Sequence, residues 1–449
     1  MTHADPSGPY RPSLRSALGD GRARRDCAAA ASASALVLAL GSVAALAAVV
    51  PVASPDQLRA AIAAAAAGDE IVLAPGSYVL TGNINCAVAG SAQAPITVRA
   101  AQPGTAVLSF AAASGFTEGF RVSAPHWHFR GLDIVGSCAS DDLCEHALHL
   151  FGAADATVIA GNRLRDFNAQ VKSNGAMVDG TMLFPDDVVI EGNLFQDSRA
   201  RNTGNPVTKI DVVGGRRWQV RANTLVDFQK AGGNGISYGA FLKGNSRDGV
   251  FERNLVRCQR DFAGGVRIGL SLGGGGTSPG SICEDGSCTP EHQGGSLRNN
   301  IVMDCSDVGI YLNSAAASQV HHNLLVATSG IDVRFPASSA DLRNNLLAGQ
   351  IRNRDGGSST QAGNLVQVAA TSLAAWFAQP ARADFRRRDW RGLVDAGVAV
   401  PGVVGDFCGD GRPVGGHDVG ALEAAPDRVC DTTTAGGGDD LGFFAGFEG

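Results

Sequence analysis

A lysine and an arginine sit in two short apolar runs of FLKGNSRDGVFERNLVRCQRDFAGGVRIGLSLG, residues 241–273. A lysine amine whose pKa is lowered by desolvation and a neighbouring cation can act as a general base, and a guanidinium can offset charge growing on a carboxylate. Lys243 and Arg267 would together suit removal of a proton beside a carboxylate. Side chains alternate between core and solvent along a strand. Straight alternation therefore turns Arg267 outward while Val266, Ile268, Leu270 and Leu272 face the core. It also turns Lys209 and Asp211 outward around Ile210 and Val212, and Phe241 and Lys243 outward around Ala240 and Leu242. If these runs stack as neighbours, Asp211, Lys243 and Arg267 line one groove, with Lys209, Asp211, Tyr238 and Arg247 as orienting or substrate-binding residues. The competing reading makes Lys243 and Arg267 ordinary surface charges paired with Glu252 or Asp248.

What must hold these groups is a repeat. GNRLRDF at 161, GNLFQDS at 192, ANTLVDF at 222, RNLVRCQ at 253, NNIVMDC at 299, HNLLVAT at 322, NNLLAGQ at 344 and GNLVQVA at 363 share one register. Their asparagines are separated by 31, 31, 30, 31, 46, 23, 22 and 19 residues, taking Gly131 of HFRGLDIVG as the member before Asn162. The gap of 46 reads as two coils of 23. Strand, turn, strand units of roughly 22 residues cannot bury an apolar face except by stacking, which predicts an all-β, single-stranded right-handed parallel β-helix. Asparagine suits the turn because it tolerates a left-handed backbone and can bond its equivalent one coil away. The longer early gaps imply loops, among them FNAQVKSNGAMVDGTMLFPDD and QDSRARNTGNP, walling one face. The insertion at 273–295 follows the Arg267 run and suits either a lid or an idle surface loop.

The stretch 241–269 is similar to the active-site stretch of polysaccharide lyase family six, the chondroitinase B and alginate lyase group. There a lysine strand, an N-x-x-x-x-C turn and an arginine strand follow in that order. The resemblance implies Lys243 as catalytic base and Arg267 as acid or charge-neutralising group, in a pectin-lyase-like β-helix. It covers about forty residues well. It departs at Gly244, where the family has serine, and at Ile268, where it has histidine. The resemblance also implies calcium as a possible cofactor, but Tyr238 and Ala240 stand where the family's acidic calcium ligands would be.

The expected organisation is an export signal at 1–48, an N-terminal helical cap at 49–70, the β-helix at 71–370, a C-terminal cap and closing segment at 371–425, and a flexible tail at 426–449. The arginine-rich leader and the apolar run from Cys27 to about Val50 carry the export reading, with no stable membrane span after signal removal. The 59 glycines, 6% aromatics and 18% charged residues fit a turn-rich solenoid. A net charge of -6 argues against nucleic acid as partner. Cys138/Cys144 and Cys283/Cys288 read as loop staples in an oxidising compartment, Cys408 can pair with Cys430 and Cys258 with Cys305, and Cys86 is left over. No CxxC pair or third histidine ligand supports a metal at HWH (126–128) or HH (321–322), so no metal-ligating residue is assigned. Asp186 and Asp187 read as a turn, not as a hydrolase carboxylate pair.

These observations predict a secreted or cell-envelope monomer acting on an acidic polysaccharide, with cleavage by β-elimination. The alternatives are a non-catalytic carbohydrate-binding or adhesion β-helix and, less favoured, a hydrolase of neutral glycans.

Overall fold

The computed structural model describes residues 47–274, 277, 280–424, 430 and 432. The expected export signal lies outside the described residues except for its last two, and the expected tail except for Cys430 and Thr432. Three parallel sheets of 12, 8 and 10 strands build a right-handed β-helix; most coils give one strand to each, and in the first coils the third side is the separate pair Ile84–Cys86 and Phe120–Val122. The apolar residues of all three sheets meet in one continuous core, from Val52 and Leu58 to Leu342 and Leu347. Among the described residues no helix is long and apolar enough to cross a membrane.

The asparagine repeat is the spine. Asn162, Asn193, Asn223, Asn254, Asn300, Asn323, Asn345 and Asn364 stack in order, each Nδ2 donating to the next Oδ1 at 2.9–3.0 Å. Each of the eight also donates to a main-chain carbonyl of the coil before, as Asn254 does to Val220 at 2.9 Å and Asn364 to Leu342 at 2.9 Å. A buried amide satisfied on both sides specifies register, because a shift of one residue would strand it. The left-handed residue is the one before each asparagine: Gly161, Gly192, Ala222, Arg253, Asn299, His322, Asn344 and Gly363 all have φ between 52° and 65°.

The ladder corrects one expectation. Asn254 bonds Asn300 directly, and Val250–Glu252 pairs with Ser296–Arg298, so the gap of 46 is one coil with an insertion and not two coils. Short apolar repeats at either side of an extruded loop produce the same arithmetic as a missing coil.

A helix at Pro55–Ala63, capped by Ser54, buries Leu58 and Ile62 against the first coils. At the other end Leu373, Phe377, Phe385, Trp390 and Leu393 pack with Leu255, Ile301, Leu324 and Leu346 along the outer face of the ten-stranded sheet. Disulfides join Cys138 to Cys144, Cys258 to Cys305, Cys283 to Cys288 and Cys408 to Cys430, and Cys86 is free and buried. Trp127 is wholly buried in the core. Asp187 occupies a left-handed turn, and Asp186 and Asp187 both pair with Arg217.

Candidate functional site

The eight-stranded sheet carries the candidate residues. Its strands run in the order His146–Phe151, Ala169–Asn174, Val207–Val213, Ile236–Lys243, Val266–Leu272, Ile310–Asn313, Gly330–Arg334 and Gln350–Arg354. Leu148, Val171, Ile210, Ala240, Leu270, Ile310 and Ile331 face the core at matching positions. The outward row beside them reads His149, Lys172, Asp211, Phe241, Ser271, Tyr311, Asp332 and Arg352, each in register with the next.

Straight alternation fails at one position in this sheet. Tyr238 and Ile268 lie outside the core, in a satellite cluster with Ile236, Phe241, Val308 and Tyr311, although Ala240 and Leu270 two residues on face inward. Each strand bends at the intervening residue, Gly239 or Gly269. A Cβ at Gly239 would meet the carbonyl oxygen of Gly269 at 2.8 Å, and one at Gly269 the carbonyl oxygen of Gly309 at 2.3 Å. The bend resets the phase, so residues before it do not face where a count from the far end puts them.

Two expectations fail for this reason. Arg267 is fully buried, donating to the carbonyls of Gly264 and Cys258 and to Gln229 Oε1, with Phe262 against its guanidinium. Lys209, which falls at the bend itself, is also fully buried; its Nζ donates to Asp197 Oδ2 at 2.5 Å and to the Phe167 carbonyl. Both belong to a polar network behind the sheet. Arg247 lies past the Gly244 turn in a separate strand, Ser246–Arg247, and bonds Asn245 Oδ1.

The structure brings together Lys243, Asp211 and Tyr238, and adds Lys172 and Lys230. Lys172 Nζ pairs with Asp211 Oδ1 at 2.8 Å. Lys243 follows on the next coil, its ammonium 4.5 Å from the centre of the Phe241 ring. Burial pushes the Lys243 amine below the usual lysine range and Lys172 adds to the effect, while Asp211 and Glu291 oppose it. The source of that burial is partly the 273–295 insertion, which passes so near that a Cβ on Gly274 would sit 2.4 Å from Lys243 Cδ. Glu291 fixes this crossing by accepting from the Gly244 and Thr277 amides and the Thr277 hydroxyl.

Above these residues runs a trough. A cleft of about 210 Å³ lies among Pro206, Thr208, Lys230, Tyr238, Phe241 and Lys243. It shares Ile236 and Tyr238 with a second cleft of about 560 Å³, where Tyr311, Asp332, Arg334 and Arg354 stand. A third cleft, about 570 Å³, lies along the turns from Arg99 to Ala222. Its one carboxylate, Glu191, is paired with Arg221, and the cleft contains no candidate base.

Lys172 escapes sequence reasoning because its strand lies in a stretch read as loop. Its signal is the pattern Val171, Lys172, Ser173, an apolar residue, a cation and a small residue, which pairs with Ile210, Asp211 and Val212 on the next coil. The calcium reading meets an unfavourable donor set, since Ala240 faces the core and Tyr238 sits in an apolar cluster.

Comparison with known proteins agrees with this fold. No protein-family model matches the chain. Pectate lyase L of Dickeya chrysanthemi is 29% identical over 174 residues, 33% of this chain and 40% of that protein, so the match spans less than half of the relative's length. The solved structure of pectate lyase Pel9A superposes with a TM-score of 0.50 at 15% identity, over 84% of this chain and 96% of that one. A PL6 family polysaccharide lyase from Pseudopedobacter saltans gives a TM-score of 0.37 at 14% identity, over 76% and 96%. The chain thus shares the parallel β-helix fold of pectate lyase Pel9A and a partial sequence similarity to pectate lyase L.

Proposed function

We propose that this chain cleaves a uronate-containing polysaccharide by β-elimination in the trough of the eight-stranded sheet, with Lys243 as the base. The observation that carries the reading is a half-buried lysine of lowered proton affinity, flanked by a second lysine and opening onto a long cleft with aromatic walls. Abstraction of the proton beside a uronate carboxylate leaves charge on that carboxylate, which a preplaced cation must offset. Lys172, held by Asp211, supplies it. Lys243 takes the proton, and the electron pair expels the glycosidic oxygen at the next carbon, which takes a proton from water and leaves as a hydroxyl, with a double bond conjugated to the carboxylate remaining. Lys230 would receive the carboxylate of a neighbouring sugar, and Tyr238 and Tyr311 would border the sugar rings. Arg267, which sequence resemblance assigns to the acid or charge-offsetting role, would instead support the wall of the trough.

The similarity to pectate lyase L and the four disulfides found among the described residues support an acidic substrate met in an oxidising compartment, periplasmic or extracellular. The test is incubation with pectate, alginate and chondroitin, followed by mass spectrometry of the products. Fragments ending in an unsaturated uronate support elimination. Fragments carrying added water indicate hydrolysis, and binding without fragmentation indicates a carbohydrate-binding protein; either overturns the proposal.

A further inference from the structure

The upstream end of the same outer face holds a group of side chains that the reaction above does not use. His146 and His149 lie on one strand three residues apart, which straight alternation would place on opposite faces. Ala147 and Leu148 are both in the core, so the chain bends there as it does at Gly239, and both imidazoles emerge together with ring centres 5.2 Å apart. Glu118 reaches them from the preceding coil.

With His149 neutral, the hydrogen bonds around it do not close. Asn174 Nδ2 donates to the Gly175 carbonyl, which turns Asn174 Oδ1 toward His149 Nε2 at 2.7 Å and makes Nε2 the donor. A neutral His149 then presents the lone pair of Nδ1 to Glu118 Oε1 at 3.0 Å, acceptor against acceptor. The Nδ1 atom of His146 is buried with no partner. Arg121 engages the other Glu118 oxygen, at 2.9 Å, leaving Oε1 for this cluster. One ligand atom from each of Glu118, His146 and His149 lies within 4.8 Å of the other two. A proton on His149 would resolve the first conflict and leave His146 as it is; a cation among the three resolves both.

We propose that Glu118, His146 and His149 bind a divalent first-row transition ion of the zinc class. Two imidazoles and one carboxylate form an N/O donor set of that class, whereas calcium takes six to eight oxygens. Tetrahedral ligands about 2.1 Å from zinc stand roughly 3.4 Å apart, so a modest rotation of the unpartnered His146 ring completes the geometry. Asn174 acts as the positioning residue that fixes the His149 tautomer. Three protein ligands leave an open position, and Lys172 is the register neighbour of His149 on the next coil. If the polysaccharide reading holds, that position would take a substrate carboxylate at the far end of the trough.

The test is direct binding without substrate, so it stands or falls separately from lyase activity. The protein, freed of any affinity tag and stripped with chelator, is titrated calorimetrically with Zn²⁺ and examined spectroscopically with Co²⁺. One ion per chain at micromolar or tighter affinity is expected, with the visible bands of a tetrahedral Co²⁺ site. Glu118→Gln and His146→Gln should abolish binding, Asn174→Ala should weaken it about 10- to 100-fold, and His321→Gln should leave it unchanged. Circular dichroism checks each fold, and the near-isosteric Glu118→Gln carries the test if a histidine variant unfolds. Absence of binding to the native protein, or equal binding by Glu118→Gln and His146→Gln, would overturn the proposal.

Discussion

Lys243 and Arg267 lie on strands that pair directly, yet they are far apart. Arg267 is in register with Ser237, while Leu242 pairs with Leu272, so the position opposite Lys243 is six residues beyond Arg267, about 20 Å along the strand. The bend at Gly239 and Gly269 lies between them. One side chain faces the trough and the other a buried network of carbonyls.

That separation gives the two residues different mutational signatures. Arg267→Gln should lower the melting temperature, because the carbonyls of Cys258 and Gly264 lose a buried charged donor, worth about 1.5–3 kcal/mol per bond. The folded fraction should keep kcat/KM within a few-fold of native. A loss of two orders of magnitude at unchanged stability would return Arg267 to the reaction.

Lys209→Met should be more damaging to stability. It leaves Asp197, wholly buried, without its cation, and breaking one partner of a buried pair costs about 3–5 kcal/mol. Chemical denaturation followed by circular dichroism measures this. A change below about 1 kcal/mol would show that Asp197 finds another partner or accepts a proton.

The asparagine ladder should be costly to interrupt at its centre. Asn254→Ala removes the acceptor for the Asn223 main-chain and side-chain amides and the donor to Val220, for about 2–4 kcal/mol. Asn364→Ala, at the half-buried end of the ladder, should cost less than half as much. Equal losses would mean that the amides carry no register.

The pH dependence of activity has a fixed sign. A lysine acts as base only when neutral, so kcat/KM should rise with pH through the Lys243 pKa, which burial holds below the usual lysine range, and be lost as pH falls below it. Asp211 favours the charged amine. Asp211→Asn should therefore move the rising limb to lower pH, and a shift to higher pH would contradict the assigned electrostatics.

The fold was legible because its determinant is an identity repeated in sequence: the same amide recurs at each turn, and no tertiary information is needed to see it. The site was legible only beyond the bend. Counting from Leu242 places Lys243 outward correctly, but the same count carried through Gly269 inverts Arg267, and Lys209 turns aside at the bend. Lys172 and His149 occupy the same outward row as Asp211, Lys172 in a strand that lies within a long insertion read as loop. A glycine whose neighbour coil approaches its Cα was the physical cue to the bend, and glycine in a strand has several other meanings.

The most direct test of the central claim is the rate at which unsaturated uronate appears, followed by its ultraviolet absorbance, for native protein and Lys243→Ala on the polymer that gives the native protein its highest rate. The account predicts a fall in kcat of about 10²- to 10⁴-fold with the melting temperature and KM little changed. Undiminished product formation by a folded Lys243→Ala protein would contradict it.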